Sequence, residues 1–151
     1  GIYAKAMLNL EIPRVGLLNI GGEPEKGNLA AKAAHDLMQD NPDFNFVGNI
    51  EGNHLFRKDI ADVIVCDGFV GNAMLKEAES FYDIMARQGL TSPFIEGLNY
   101  EAVGGTPVLG INSTVIIGHG HSTPKAIQNM ILQTEEAASA RLVEKFKEAF
   151  K

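Results

Sequence analysis

The sequence predicts an α/β fold with a mainly parallel sheet covered by helices on both faces. Short apolar runs rich in β-branched residues alternate with stretches whose apolar residues recur at helical spacing. Strands alternating with helices pair in parallel and are buried on both sides. The strand-like runs are followed by polar loops containing glycine, and in such sheets ligands gather beyond the C-terminal strand ends.

Taken in order, residues 1–10 resemble the end of a helix, because Ile2, Ala6 and Leu10 recur every four residues. Pro13 punctuates the chain, and residues 14–20 (RVGLLNI) form the first strand. Residues 21–27 (GGEPEKG) are a loop, and residues 28–39 a helix whose apolar face includes Leu29, Ala33 and Leu37. Asn41 and Pro42 stop that helix. Residues 45–50 (NFVGNI) form the second strand, with Glu51, Gly52, Asn53 and His54 as its exit loop and a helical turn around Leu55 and Phe56. Residues 61–66 form a buried third strand, residues 67–72 a glycine-bracketed turn, and residues from 73 to about 88 a helix ended by Gly89. Residues 91–99 have room for one short helix. The apolar runs 107–111 and 114–118 form either a hairpin or one bent crossing. His119, Gly120, His121 and Ser122 make the last loop. Thr123 as N-cap and Pro124 at the first helical position start a final helix to the C-terminus, with Ile127, Ile131, Ala138 and Leu142 among its apolar positions.

Composition narrows the function classes. The chain has 151 residues, 45% of them hydrophobic and 21% charged, which fits a globular domain with a sizeable core. A net charge of −6 without a basic run argues against nucleic acid as a partner, because phosphate-backbone binding needs a basic face. No apolar run approaches the length of about 18 residues that suggests a membrane span. Cys66 is the single cysteine, so no intrachain disulfide forms and a cytoplasmic location is expected. No signal peptide opens the chain, and Gly1 is not an initiator methionine; a processed product or a piece of a longer chain is expected.

Four loops, GGEPEKGN, EGNH, DGFVGN and GHGHS, are expected at the C-terminal ends of the strands. Glycine lets the backbone approach a ligand, and helix N-termini offer N–H groups to an anion. Lys26 can pair with that anion or simply be solvated; the pattern is not GxxxxGK[ST], since Gly27 and Asn28 follow it. Asp67 can orient a cation or cap a helix, and Asn72 can donate to an oxyanion. His119 can serve as general acid or base or hold a phosphoryl oxygen. His119 and His121 could ligate a metal together, but no further His/Cys cluster supports this, so no metal is expected. Cys66 reads as a buried core residue, His35 as part of a helix face, and Ser122 and Thr123 as caps. A nicotinamide-binding domain fails on pattern, because no GxGxxG follows the first strand.

PRVGLLNIGGEPEKGN, NFVGNIEG, ADVIVCDGFVGNAMLK and GGTPVLGINSTVIIGHG, in this order, resemble the C-terminal half of the phosphate acyltransferases of bacterial phospholipid synthesis. The resemblance covers almost the whole chain. It implies a three-layer α/β/α sandwich with a Rossmann-like sheet, similar to phosphotransacetylases, and residues 1–151 as a single C-terminal domain of a longer chain. It also implies transfer of an acyl group from a thioester to inorganic phosphate with no cofactor. Lys26, Asn72, His119 and His121 then become the catalytic candidates. Gly27, Asn28, Asp67, Gly68, Gly71, Gly120 and Ser122 become the candidates for binding phosphate and substrate.

Two departures qualify the resemblance. The stretch from Ala73 to Gly104 is short where the resemblance to the phospholipid enzymes implies a longer segment, a helical hairpin. The compact form is similar to the alpha subunit of component C of glycine/sarcosine/betaine reductase, which passes an acetyl group to phosphate. That branch implies acetyl phosphate as product, and as partners the N-terminal half of its own chain and a beta subunit, with homo-oligomer formation also open. The second departure is His121, which stands where a small or reactive residue is expected and puts a covalent thioester step on this chain in doubt. The competing class is a non-catalytic half-domain that binds phosphate or a partner.

Overall fold

In the computed structural model, which describes residues 1–151, the chain divides into two compact units, Gly1–Asp67 and Gly68–Lys151. The first unit is built on a parallel three-stranded sheet in the order β2-β1-β3: β1 (Arg14–Leu18), β2 (Asn45–Ile50) and β3 (Val63–Val65). Helix α1 (Ile2–Met7) precedes β1, and α2 (Leu29–Gln39) connects β1 to β2 and packs on both. The mixed α/β class with a parallel sheet is therefore as expected. Central strand β1 carries the core, with Val15 and Leu17 buried beside Ile50 of β2. Val15 pairs with Phe46 and Leu17 with Asn49, so β2 carries one extra residue between them. Gly48, at φ +89°, lies in that bulge, where a side chain would be strained.

The entry to the sheet is clamped by an ion pair. The Arg14 guanidinium donates to both carboxylate oxygens of Asp62, at 2.9 and 2.8 Å, and the Arg14 N–H donates to the same carboxylate at 2.9 Å. Hydrogen bonds from the Arg14 side chain first, and from its main chain second, hold the Asp62 carboxyl down from 3.8 to about 2. A depressed folded-state value stabilises the fold above the unfolded value, and that stability is lost as pH falls through the folded one. Asp62→Asn is therefore expected to melt below the parent at neutral pH. The gap should close between pH 3.8 and about 2, which thermal melts across that range would check.

The structure corrects several expectations in this unit. The stripe Leu29, Ala33, Leu37 does not meet the sheet: Leu29 is 86% and Leu37 77% exposed. The buried residue of α2 is His35, whose ring meets Phe46 edge-on at 5.3 Å. Periodicity identifies which residues share a stripe, but packing against β2 decides which stripe turns inward. Strand β3 is three residues long, so the chain leaves the sheet before Cys66, which is exposed rather than buried.

The second unit opens with α3 (Gly68–Arg87), followed by α4 (Pro93–Glu96), α5 (Tyr100–Val103), the antiparallel pair β4 (Thr106–Pro107) and β5 (Ile116–Ile117), α6 (Pro124–Ser139) and α7 (Leu142–Ala149). The turn expected at 67–72 is largely helical, because α3 already begins at Gly68. Two short helices stand where one was expected, each with its own side-chain cap: Ser92 accepts from Ile95 N–H and Asn99 from Glu101 N–H. Of the alternatives for 107–118, the chain forms the hairpin. Thr123 caps α6 as expected, accepting from Ala126 N–H at 3.3 Å, with Pro124 at the first position.

The final helix is not continuous. Arg141 takes a left-handed conformation (φ 53°, ψ 44°) and separates α6 from α7. The residues buried here are Ala126, Ala137 and Leu142, whereas Ile127 and Ile131 are 47% and 64% exposed. The hairpin approaches α6 closely at Met130: a Cβ on Gly105 would lie 2.6 Å from Ile116 Cγ2 and 2.9 Å from Met130 Cγ.

Candidate functional site

Three of the four expected loops do leave the C-terminal ends of one parallel sheet, after β1, β2 and β3. GHGHS does not, because it follows β5 of the separate hairpin. The candidate residues accordingly fall into two groups. Lys26, Gly27, Asn28 and Asp67 lie in the first unit, and Gly68, Gly71, Asn72, His119, Gly120, His121 and Ser122 in the second.

In the first unit, two asparagines at strand ends hold the lysine loop. The Asn19 N–H donates to Ile50 C=O at 2.8 Å, continuing the ladder past the end of β1. Its side-chain oxygen accepts from Ile20 N–H at 2.8 Å, and its amide nitrogen donates to Lys26 C=O at 3.1 Å. Asn49, on β2, donates to Glu23 C=O at 2.8 Å. The loop is thus tied back to both strands through its main chain, which leaves the Lys26 side chain exposed. Gly27 completes the fold-back at φ +88°, pressed so close to Asn19 that a Cβ would collide with its side-chain oxygen.

Asn28 then caps α2, its side chain accepting from Ala31 N–H at 2.9 Å. The first-turn N–H groups of Leu29 and Ala30 remain as donors at the positive end of the helix dipole. Lys26 and Glu23 both reach over Gly21, where a Cβ would lie 3.1 Å from Lys26 Cγ and 2.9 Å from Glu23 Oε2. The buried side-chain oxygen of Asn49 has no hydrogen-bond partner, which adds an acceptor at this edge.

In the second unit, α3 carries Gly68, Gly71 and Asn72 in its first two turns, with Asn72 exposed. The histidine loop is closed on itself: Ser122 donates to His119 C=O through its N–H at 3.1 Å and its hydroxyl at 2.6 Å. Ser122 is therefore a turn-closing residue, and the helix cap is Thr123. The two imidazoles lie 5.7 Å apart and share Tyr100, whose ring meets His119 edge-on at 5.1 Å and His121 at 5.5 Å. Glu79 of α3 faces both Lys76 Nζ, at 2.7 Å, and His119 Nε2, at 3.9 Å.

The frame around this cluster is polar. Asn99 donates to the Tyr82 hydroxyl at 3.0 Å, tying α5 to α3, and Asn129 donates to Glu101 C=O at 2.6 Å, tying α6 to α5. Partial withdrawal from water, with Glu96, Glu101 and Asp83 near by, pushes the Tyr82 phenol up, so it stays protonated and available as a partner. No group of three or more histidine, cysteine, aspartate or glutamate side chains is placed to hold a metal ion. No helix is long and apolar enough to cross a membrane.

Sequence reading missed Asn19, Asn49, Glu79 and Tyr100. Asn19 and Asn49 had a signal, a polar residue at the end of a strand beside a glycine-rich loop. Tyr100 had none, because its partners are about 20 residues further on in an unrelated loop.

Comparison with known proteins adds an independent finding. Residues 1–145 match the family described as "Fatty acid synthesis protein". Among curated proteins, "Phosphate acyltransferase" of Salinibacter ruber is 44% identical over 168 residues, covering 99% of this chain and 49% of that protein. The protein of the same name from Dictyoglomus thermophilum is 39% identical over 166 residues (97% and 49%), and that from Pelotomaculum thermopropionicum 43% over 162 residues (95% and 47%). The chain spans about half the length of these relatives. An alignment of 168 positions against 151 residues means that the Salinibacter protein has at least 17 residues without a counterpart here (168 − 151).

Proposed function

We propose, because the chain belongs to the family described as Fatty acid synthesis protein, that it is part of an enzyme transferring an acyl group from a thioester to inorganic phosphate. A phosphate oxygen attacks the thioester carbonyl, the C–S bond breaks, and the thiolate leaves with a proton, giving an acyl phosphate and a free thiol. The observation that carries this reading is the Lys26 loop, tied by Asn19 and Asn49 beside the first turn of α2. A lysine charge and helix N–H donors suit a phosphate oxyanion. Gly27, Asn28 and Asp67 support phosphate binding in this reading, and Gly68, Gly71, Gly120 and Ser122 shape the backbone around the acyl donor. Asn72 polarises the thioester carbonyl, and His119 moves the proton to the leaving thiolate, with His121 as the second imidazole.

Two donors fit. An acetyl thioester, as in component C of glycine/sarcosine/betaine reductase, is favoured by the short stretch between Asn72 and β4 and by the residues that the Salinibacter relative has in excess. A long-chain acyl-carrier-protein thioester is favoured by the family description and the relatives' shared name. Acyl phosphate formation by the intact protein, trapped as hydroxamate, should be measured with both donors. Faster turnover of the acetyl thioester supports the first, and turnover confined to the long-chain donor selects the second. Absence of phosphate-dependent thioester loss with either donor would sink the assignment, and turnover unchanged in His119→Ala would remove that histidine from it. Calorimetric binding of phosphate without turnover would then favour a non-catalytic domain.

A further inference from the structure

We propose that Glu79 is a positioning residue for His119, holding its imidazole in one orientation and keeping the proton on Nε2. The kinetic consequence rests on the acyl-transfer reading above; the spectroscopic consequence does not.

Glu79 is held from two sides. One carboxylate oxygen takes the Lys76 ammonium at 2.7 Å, one turn away on the same helix, and the other faces His119 Nε2 at 3.9 Å. The second distance is within ion-pair range but too long for a hydrogen bond, and a shift of about 1 Å would make one. Hydrogen bonds of catalytic groups are commonly long without substrate and tighten when it binds. A carboxylate facing Nε2 favours the proton on that nitrogen and leaves Nδ1 as the acceptor. The remaining freedom of the ring is restricted by Tyr100 at 5.1 Å, and that of the main chain by the two Ser122 hydrogen bonds to His119 C=O.

The same contact separates the two histidines of this loop. His121 shares Tyr100 but has no carboxylate within ion-pair distance, so His119 is the imidazole with a fixed tautomer. Glu79 also lies on the stripe of α3 that bears Asn72. Residues 72, 76 and 79 are spaced four and three apart, which aligns them on one face. The two-turn offset puts Asn72 about 10 Å along the axis from Glu79.

The test compares parent, Glu79→Gln, Glu79→Asp, His119→Ala and the Glu79→Gln/His119→Ala double variant of the intact protein. Two-dimensional nitrogen NMR of the imidazoles should show the His119 tautomer signals displaced in Glu79→Gln, while those of His35 and His54 stay in place. Glu79→Asp retracts the same carboxylate by one methylene and should displace them partway. In the acyl-transfer assay, Glu79→Gln should lower kcat by about tenfold to a hundredfold with the phosphate KM within about twofold. The double variant should be no slower than His119→Ala alone, because residues acting as a unit are non-additive. His119 signals unmoved in both Glu79 variants, or losses that multiply in the double variant, would overturn the assignment. If the parent shows no phosphate-dependent turnover, the acyl-transfer reading fails, and the NMR comparison still decides the role of Glu79.

Discussion

Lys26→Ala is expected to raise the phosphate KM of the intact protein by about tenfold to a hundredfold and to leave kcat within a few fold. A hydrogen bond to a charged group contributes about 1.5–3 kcal/mol, and each 1.4 kcal/mol is about a factor of ten in affinity. Folding of the first unit should be unaffected, since the loop is held through the Lys26 carbonyl rather than its exposed ammonium. Lys26→Arg keeps the charge and should recover most of the affinity. Initial-rate kinetics with varied phosphate separates the two constants, and a phosphate KM unchanged in Lys26→Ala would remove this lysine from the binding role.

The largest expected loss of stability comes from Gly104→Ala. Gly104 sits at φ +92°, where a side chain is strained, and its Cβ would stand 2.8 Å from Met130 N and 3.0 Å from Asn129 C. Both neighbours are main-chain atoms of α6, which cannot move aside as a flexible side chain can. The obstructed contact is also where Asn129 donates to Glu101 C=O, the bond that ties α5 to α6. Left-handed strain of about 1–3 kcal/mol and overpacking of about 1–3 kcal/mol give a combined cost of roughly 2–6 kcal/mol. Denaturant titration of the parent and variant would measure it. Because Tyr100 opens α5, the His119 and His121 ring contacts should loosen at the same time. A variant as stable as the parent would mean that α5 and α6 do not pack this closely.

The parts of the fold legible in the sequence are those governed by neighbours in the chain. Asn45–Ile50 matches its expected span in full, and the Thr123–Pro124 helix start is in place, since capping and strand pattern are local. Two of the failures share one cause. The break at Arg141 and the buried side of α2 each depend on what the segment packs against. Glycine and asparagine in DGFVGN favour a turn, yet from Gly68 onward they are helical, against an intrinsic preference of about 1 kcal/mol for glycine.

The candidate site divides along the same line. The inventory is legible in residue type and order: a lysine between glycines ahead of a helix cap, an aspartate at the end of β3, and two histidines after an apolar strand. Those signals are made of residue type and short spacing, which need no third dimension. The partners that hold them follow from the folded arrangement. Asn19 and Asn49 reach Lys26 and Glu23 because parallel pairing sets the ends of β1 and β2 side by side. Glu79 meets His119 across forty positions of sequence because α3 runs past the loop after β5. A parallel sheet and packed helices bring together residues far apart in the chain, and no local pattern encodes which of them will touch.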